Sequence, residues 1–397
     1  MRAGWQLSTI GEVCEVVNGA TPKTSVAQYW GGHHRWITPA EMGKRSNPYV
    51  DETARTLTDA GLQDCSAKLL PANSVILSSR APIGHLVINA EPMATNQGCK
   101  GLVPASGVHH KFLYYYLGNV AELLESLGTG ATFKELSGGK LKAVEIFLPP
   151  MDEQKRIVAI LDQAFAGIAT AKANSEKNLQ NARALFESHL QQVFGSGKEG
   201  WVDTTIDRCI RFIDYRGRTP TKTEAGLRLI TAKNVKMGFL QRTPMEFVDP
   251  RSYGSWMTRG IPKKGDVLFT TEAPLGNVAQ LDTDEKVVFA QRVIIMQPDP
   301  AVLDNTLLKY LLLSPTVQER IRDKATGATA LGIKASLLKK IEISFPRDLA
   351  EQQRLVSQLD ALKSESLRLE RTQRQKLAAL DELKQSLLAK AFAGELS

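Results

Sequence analysis

The chain has few cysteines, no long apolar run and no signature of an active site. Cys14, Cys65, Cys99 and Cys209 stand far apart, with no C-x-x-C pair. That spacing argues against a zinc ribbon or a disulfide framework and for reduced thiols. No apolar stretch approaches the roughly 18–20 residues of a membrane span. The N-terminal MRAGWQLSTIGEV lacks the apolar core of a signal peptide. A cytoplasmic protein without membrane contact is therefore expected.

Catalytic motifs are equally scarce. An amino-methyltransferase would carry Asn/Asp-Pro-Pro-Tyr/Phe, but NPYV at Asn47 lacks the second proline and LPPM at Leu148 lacks the Asn or Asp. No G-x-G-x-x-G follows a strand signal. FGSGKEGW (Phe194–Trp201) lacks the first glycine of a phosphate loop and the Ser/Thr after Lys198, and reads as a flexible joint. The pairs His33-His34 and His109-His110 lack the i,i+4 spacing that sets two ligands on one helix face, and read as surface polar residues. No catalytic residue, metal site or cofactor is expected in this chain.

What the chain does have is itself, twice. TGAT stands at Thr129–Thr132 and again at Thr326–Thr329. Around it, Trp5 answers Trp201, Pro82 answers Pro274, Glu153 of EQKR answers Glu351 of EQQR, and Phe194 answers Phe392. Such self-similarity marks a duplicated unit. The loops between matched segments differ: KTSVAQYWGGHHR in one half faces the shorter TKTEAGLR in the other. A shared frame with different loops suits two modules that read two different targets.

Each half divides in two. SVILSSRAPIGHLVI and DVLFTTEAPLGNVAQ read as strand–turn–strand. KFLYYYLGNVAELLESL and TLLKYLLLSPTVQERIRD read as helices, TGAT as a loop in which Gly130 and Gly327 permit an unusual turn, and VEIFLPP and IEISFPR as closing strands. A long helix then follows. Steps of four and three give Ile157, Leu161, Ala164, Ile168, Ala171, Ser175, Asn178, Ala182 and Leu185 in one half. The other gives Leu355, Leu359, Leu362, Ser366, Leu369, Gln373, Lys376, Leu380 and Leu383. Each helix of about 40 residues would be about 60 Å long and cannot bury its stripe alone. An intramolecular twofold pair of such helices is antiparallel. The fold class is α+β: two mixed α/β domains at 1–151 and 198–348, with long helices at 152–197 and 349–397 forming an antiparallel coiled coil.

The net charge of +8 is uneven, because residues 198–348 hold 24 Lys/Arg against 18 Asp/Glu. A basic surface points to a polyanion such as nucleic acid. DYRGRTPTKT places Arg216, Arg218 and Lys222 beside Tyr215, and TAKNVKMG holds Lys233, Asn234 and Lys236. Arg and Asn can bond base edges, while Lys pairs mostly with phosphate. The first-half counterparts are Lys23, Arg35, Lys44, Arg45 and Arg80.

At DEQKRIVAILD, AEQQRLVSQLD, GDVLFTTEAPLGNVA and SLLAKAFAGELS the chain resembles the specificity subunit of Type I restriction–modification enzymes, over essentially its whole length. The resemblance implies that each globular part is a target-recognition domain reading one half of an asymmetric two-part site in double-stranded DNA. It implies that the helix pair sets the spacer and docks two modification subunits, which carry S-adenosylmethionine and methylate adenine. Restriction subunits using ATP and magnesium would join them. Two alternatives stand beside it: a specificity subunit for a methyltransferase outside a Type I system, and a coiled-coil scaffold that binds proteins only.

Overall fold

A computed structural model describes residues 4–45, 47–130, 134–195, 198–215, 219–290, 292–327 and 330–396. The chain forms two compact units: Met1–Ser175 with Gln375–Ser397, and Glu176–Arg374. Each unit holds one globular domain and one half of each long helix.

In the first unit, a five-stranded sheet has the order Cys14–Asn18, Cys99–Pro104, Val75–Ser79, Ile83–Asn89, Tyr49–Val50. A three-stranded sheet sets Trp30–Ile37 between Arg55–Leu57 and Met93–Thr95. Every residue of Val75–Ser79 is buried, which is why that strand reads as an unbroken β-rich run instead of an alternating one. In the second unit, a four-stranded sheet has the order Ile210–Asp214, Val293–Pro298, Val267–Thr271, Leu275–Gln280. A second sheet orders Lys222–Thr223, Glu246–Val248, Leu227–Ile230, Val287–Phe289. The expected strand–turn–strand segments are antiparallel pairs in both units.

Each segment read as one helix is in fact two. His110–Asn119 and Ala121–Leu127 meet at Val120, whose ψ of 18° leaves the helical range. Asn305–Leu313 and Pro315–Asp323 meet at Ser314, whose side chain accepts from the Val317 N–H while Pro315 opens the new helix. A serine cap followed by proline is a start signal that overrides the apolar periodicity running through it.

The TGAT segments are framework. Thr129 and Glu135 exchange backbone hydrogen bonds of 3.0 and 2.9 Å, and Thr326 and Gly332 exchange two of 2.9 Å. Gly130 and Gly327 have φ of 135° and 128°, a region that favours glycine. The residue after each bridge bonds the central strand, Leu136 to the Ser79 carbonyl and Ile333 to that of Thr271. Ala131, Thr132, Ala328 and Thr329 lie outside the described residues.

The closing strands pair with the opening ones, Gln6 opposite Leu148 and Trp201 opposite Pro346. The chain then enters the long helices Met151–Phe194 and Leu349–Phe392. A glutamine locks each entry. Gln154 is fully buried. Its Nε2 donates to the carbonyls of Gly107 at 2.9 Å and Pro149 at 2.8 Å, and its Oε1 accepts from the His109 N–H at 2.8 Å. Gln352, also fully buried, donates to Val302 and Pro346 and accepts from Asp304, each at 2.8 Å. The flanking Glu153–Arg156 and Glu351–Arg354 pairs lie on the helix surface at 2.8 and 2.7 Å. EQKR and EQQR therefore combine an internal clamp with an external ion pair.

Within each unit the two long helices run antiparallel. In the first, Arg156 donates to the Leu396 carbonyl at 2.7 Å, and Lys172 pairs with Asp381. In the second, Ser366 donates to the Ala182 carbonyl at 2.8 Å, and Lys363 lies 4.8 Å from the Phe186 ring centre. The seam corrects half of the expected register. Leu161, Ile168, Ser175 and Ala182 are buried as expected, but they alternate with Val158, Phe165, Lys172, Leu179, Phe186 and Val193. Leu185 is 52% exposed, whereas Phe186 is 6% exposed and packs edge-on to Tyr310. Leu383, the counterpart of Leu185, is 46% exposed. Ile157 and Leu355 are buried because they join the cores of their globular domains. Leu359 is fully buried, and Leu362, Leu369 and Leu380 are half-buried. At the polar centre, Ser175 and Gln373 turn inward, and their Oγ and Oε1 atoms have no partner among the described residues. Asn178 and Lys376 face solvent.

Replacing Gln352 with leucine leaves one backbone donor and two carbonyls buried without partners, each costing about 1–3 kcal/mol. Gln352→Leu should destabilise the second unit by about 3 kcal/mol in urea unfolding, after partial relaxation. Arg354→Ala, which removes an exposed pair, should cost less than about 1 kcal/mol. Equal effects from the two would contradict the clamp.

Candidate nucleic-acid interface

The basic residues picked from the sequence fall into three groups. Lys23, Lys44 and Lys233 are exposed and Lys236 is half-exposed; among the described residues none of the four has an ion-pair partner. A lysine with no carboxylate neighbour loses no internal partner when it meets a phosphate. Of the described cations picked from the sequence, these four are the ones free to do so.

A second group is engaged within its own domain. Arg45 bonds Glu41 at 2.9 Å and the Glu52 carbonyl at 2.5 Å. Arg35 donates from Nε to the Asp51 carbonyl. Arg80 lies 3.8 Å from Glu135, next to the TGAT bridge, and Lys222 lies 2.8 Å from Glu246. These contacts hold the side chains against their own domain, although exposed pairs such as Arg80–Glu135 and Lys222–Glu246 are weak enough to exchange for a phosphate.

The third group requires a correction. Tyr215 is 4% exposed: its hydroxyl donates to the Gly260 carbonyl at 2.7 Å and accepts from the N–H groups of Arg259 and Gly260. Asn234 is 1% exposed. Its Oδ1 accepts from the Thr231 N–H at 3.1 Å, and its Nδ2 donates to the carbonyls of Gln241 and Pro244. Both side chains have their polar atoms engaged in the domain interior, where they shape loops, and neither is exposed at the surface. Arg216 and Arg218 lie outside the described residues.

The sequence reading missed an aromatic platform. Arg55 lies 3.4 Å from the Trp30 ring centre and 5.6 Å from that of Trp36, and the two indoles meet edge-on at 5.1 Å. A guanidinium stacked on indole is held in place without losing its donors. The available signal was the two tryptophans bracketing the GGHHR insertion. In the second domain, Phe239 and Met237 are 58% and 47% exposed beside Lys236. The two halves thus present different side chains on one frame.

Three of the four cysteines are poorly suited to act as nucleophiles. Burial pushes the Cys14 and Cys99 thiols up to about 12 and that of Cys209 up to about 11, so all three stay protonated at neutral pH. His109 and His110 stack at 4.7 Å, and burial lowers both below the usual imidazole range. His110 shares a 2.8 Å hydrogen bond with the Tyr49 hydroxyl, a structural contact at the domain base.

Two copies of a mixed α/β domain, each clamped to a long helix and each bearing its own basic loops, define a duplicated recognition protein. The Type I restriction modification DNA specificity domain family matches residues 2–181 and 258–379, and the chain belongs to this family. It is 35% identical over 186 residues to the Type I restriction enzyme MjaIX specificity subunit of Methanocaldococcus jannaschii, covering 46% of this chain and 43% of that protein. The matched part therefore spans less than half of that relative. Identity to the EcoKI specificity subunit of Escherichia coli is 22% over 99% of this chain and 89% of the relative. The fold is shared with a solved chain of a type I R-M system, at a TM-score of 0.82 and 20% identity over 100% of this chain and 99% of the other. It is also shared with the HsdS subunit of Thermoanaerobacter tengcongensis, at 0.64 and 19% over 100% and 98%.

If the unpaired lysines meet phosphates, Lys23→Ala, Lys233→Ala and Lys236→Ala should each weaken DNA binding alike on all sequences. Each should reduce the slope of log affinity against log salt by about 0.9. Asn234→Ala should lower stability instead. Fluorescence anisotropy across a salt series reads this, and unchanged slopes would remove these lysines from the interface.

Proposed function

We propose that the chain is the specificity subunit of a Type I restriction–modification complex and has no catalytic role of its own. Each recognition domain reads one half of an asymmetric bipartite site in double-stranded DNA. The helix pair fixes the unspecified spacer and docks two modification subunits, which bind S-adenosylmethionine and methylate adenine. Restriction subunits using ATP and magnesium join to cleave unmodified DNA. The observation that carries this reading is the contrast between halves. The glutamine clamp is the same in both, atom for atom. The loops above it differ in length and in their exposed cations and aromatics. As a set on matched loops of a duplicated frame, the unpaired lysines of both domains favour a polyanionic partner over a scaffold that binds proteins only.

Among the described residues, no helix is long and apolar enough to cross a membrane; a cytoplasmic location is part of the proposal. Each unit is proposed to offer one of two equivalent docking faces, marked by the off-seam leucines Leu185 in one and Leu383 in the other, which occupy matching repeat positions and stay half-exposed.

Methylome sequencing of the host with and without the gene tests the reading. The expected result is loss of one two-part motif, methylated on adenine in both strands, when the gene is deleted. An unchanged methylome in a host whose modification subunit is active would contradict it.

A further inference from the structure

Trp30–Ile37 carries an irregularity that its sequence explains. Both Trp30 and His34 stand opposite Leu57 of the neighbouring strand, so Gly31, Gly32 and His33 form an excursion between them. Gly31 has φ of 81°, and a Cβ on Gly32 would lie 2.4 Å from the Leu57 carbonyl oxygen. No other residue fits at Gly32, and few fit at Gly31. In a regular strand, adjacent side chains point to opposite faces. Here the excursion brings the His33 and His34 rings together, with centres 4.0 Å apart and planes tilted by 44°. Asp59, the first residue of the short helix Asp59–Asp64, reaches both: its Oδ1 lies 2.7 Å from His34 Nε2 and 3.7 Å from His33 Nε2.

We propose that His33, His34 and Asp59 form a binding site for a divalent transition cation of the zinc class. One ligand atom from each lies within 4.8 Å of the others, and no other such group occurs among the described residues. Zinc bonds of about 2.0–2.2 Å in tetrahedral geometry set ligand atoms about 3.4 Å apart. The His33–Asp59 separation is already near that value, the His34–Asp59 hydrogen bond needs to open by about 0.7 Å, and the His33 and His34 ligand atoms lie within 4.8 Å. Two imidazoles and a carboxylate suit zinc, nickel or cobalt, and disfavour magnesium and calcium, which take oxygen ligands. Adjacent histidines by themselves carry no such signal; the glycine excursion and Asp59, 25 residues on from His34, supply it. The site belongs to the first domain alone, because TKTEAGLR in the second has no histidine. His33 and Asp59 are 71% and 73% exposed at their side chains, so the fourth position opens to solvent and takes water or an external oxygen ligand. The proposal does not depend on the chain's role in DNA recognition.

Metal-stripped full-length chain titrated with Zn²⁺ against a chromophoric chelator tests this, with Co²⁺ as a spectroscopic probe. One equivalent should bind. The Co²⁺ form should show visible ligand-field bands without the near-ultraviolet thiolate charge-transfer band that cysteine ligation would add. His33→Ala and Asp59→Asn change exposed side chains and leave the fold intact. Each should weaken binding roughly ten-fold or more, since loss of an outer partner alone costs that much. The proposal fails if the chain does not outcompete the chelator, if a thiolate band appears, or if both variants bind as the parent does.

Discussion

A glutamine side chain buried in each half joins a globular domain to its helix, and most of the architecture follows from what that side chain bonds. Gln154 and Gln352 bond only main-chain atoms: two carbonyls and one N–H each. Those atoms belong to the turn before the short helix, the end of the closing strand and, through the glutamine itself, the first turn of the long helix. Three elements are thereby tied at one point. The bonds do not depend on which side chains the neighbouring residues carry. The loops can diverge freely as long as the backbone passes the same three positions.

Around this point, the burial of ions and polar groups follows a consistent pattern. Asp162 and Asp360 on the long helices take the lysine and tyrosine of the short helices, Lys111 with Tyr115 and Lys309 with Tyr310. The lysines and aspartates occupy matching positions, while the tyrosines come from different turns, so the contact survives through chemistry and not through strict repetition. Within each unit the helix seam is apolar near the globular domain. Ser175 in one unit and Gln373 in the other each bury an oxygen with no partner among the described residues, a local cost.

Much of this frame was legible in the sequence. The duplication, the strand pairs, the TGAT turns with their glycines and the long helices all come from signals local in sequence. The seam was legible only in part, because a 3.5-residue period fits two neighbouring phases. Leu185 and Phe186 are both apolar, and only packing against Tyr310 selects the phenylalanine. The candidate interface was harder to read. Composition cannot separate a lysine free in solvent from one paired across 24 residues, as Lys222 is with Glu246. Nor can it tell an asparagine that reads adenine from one that closes a loop, as Asn234 does. Such distinctions depend on contacts distant in sequence.

The central claim is that one main-chain-directed clamp supports two interchangeable reading modules. Exchange of residues 198–348 for the equivalent segment of another family member tests it most directly, with the methylated motif of the resulting complex as readout. The account predicts that one half of the motif changes while the other half and the spacer length stay as they were. A change in both halves would contradict it.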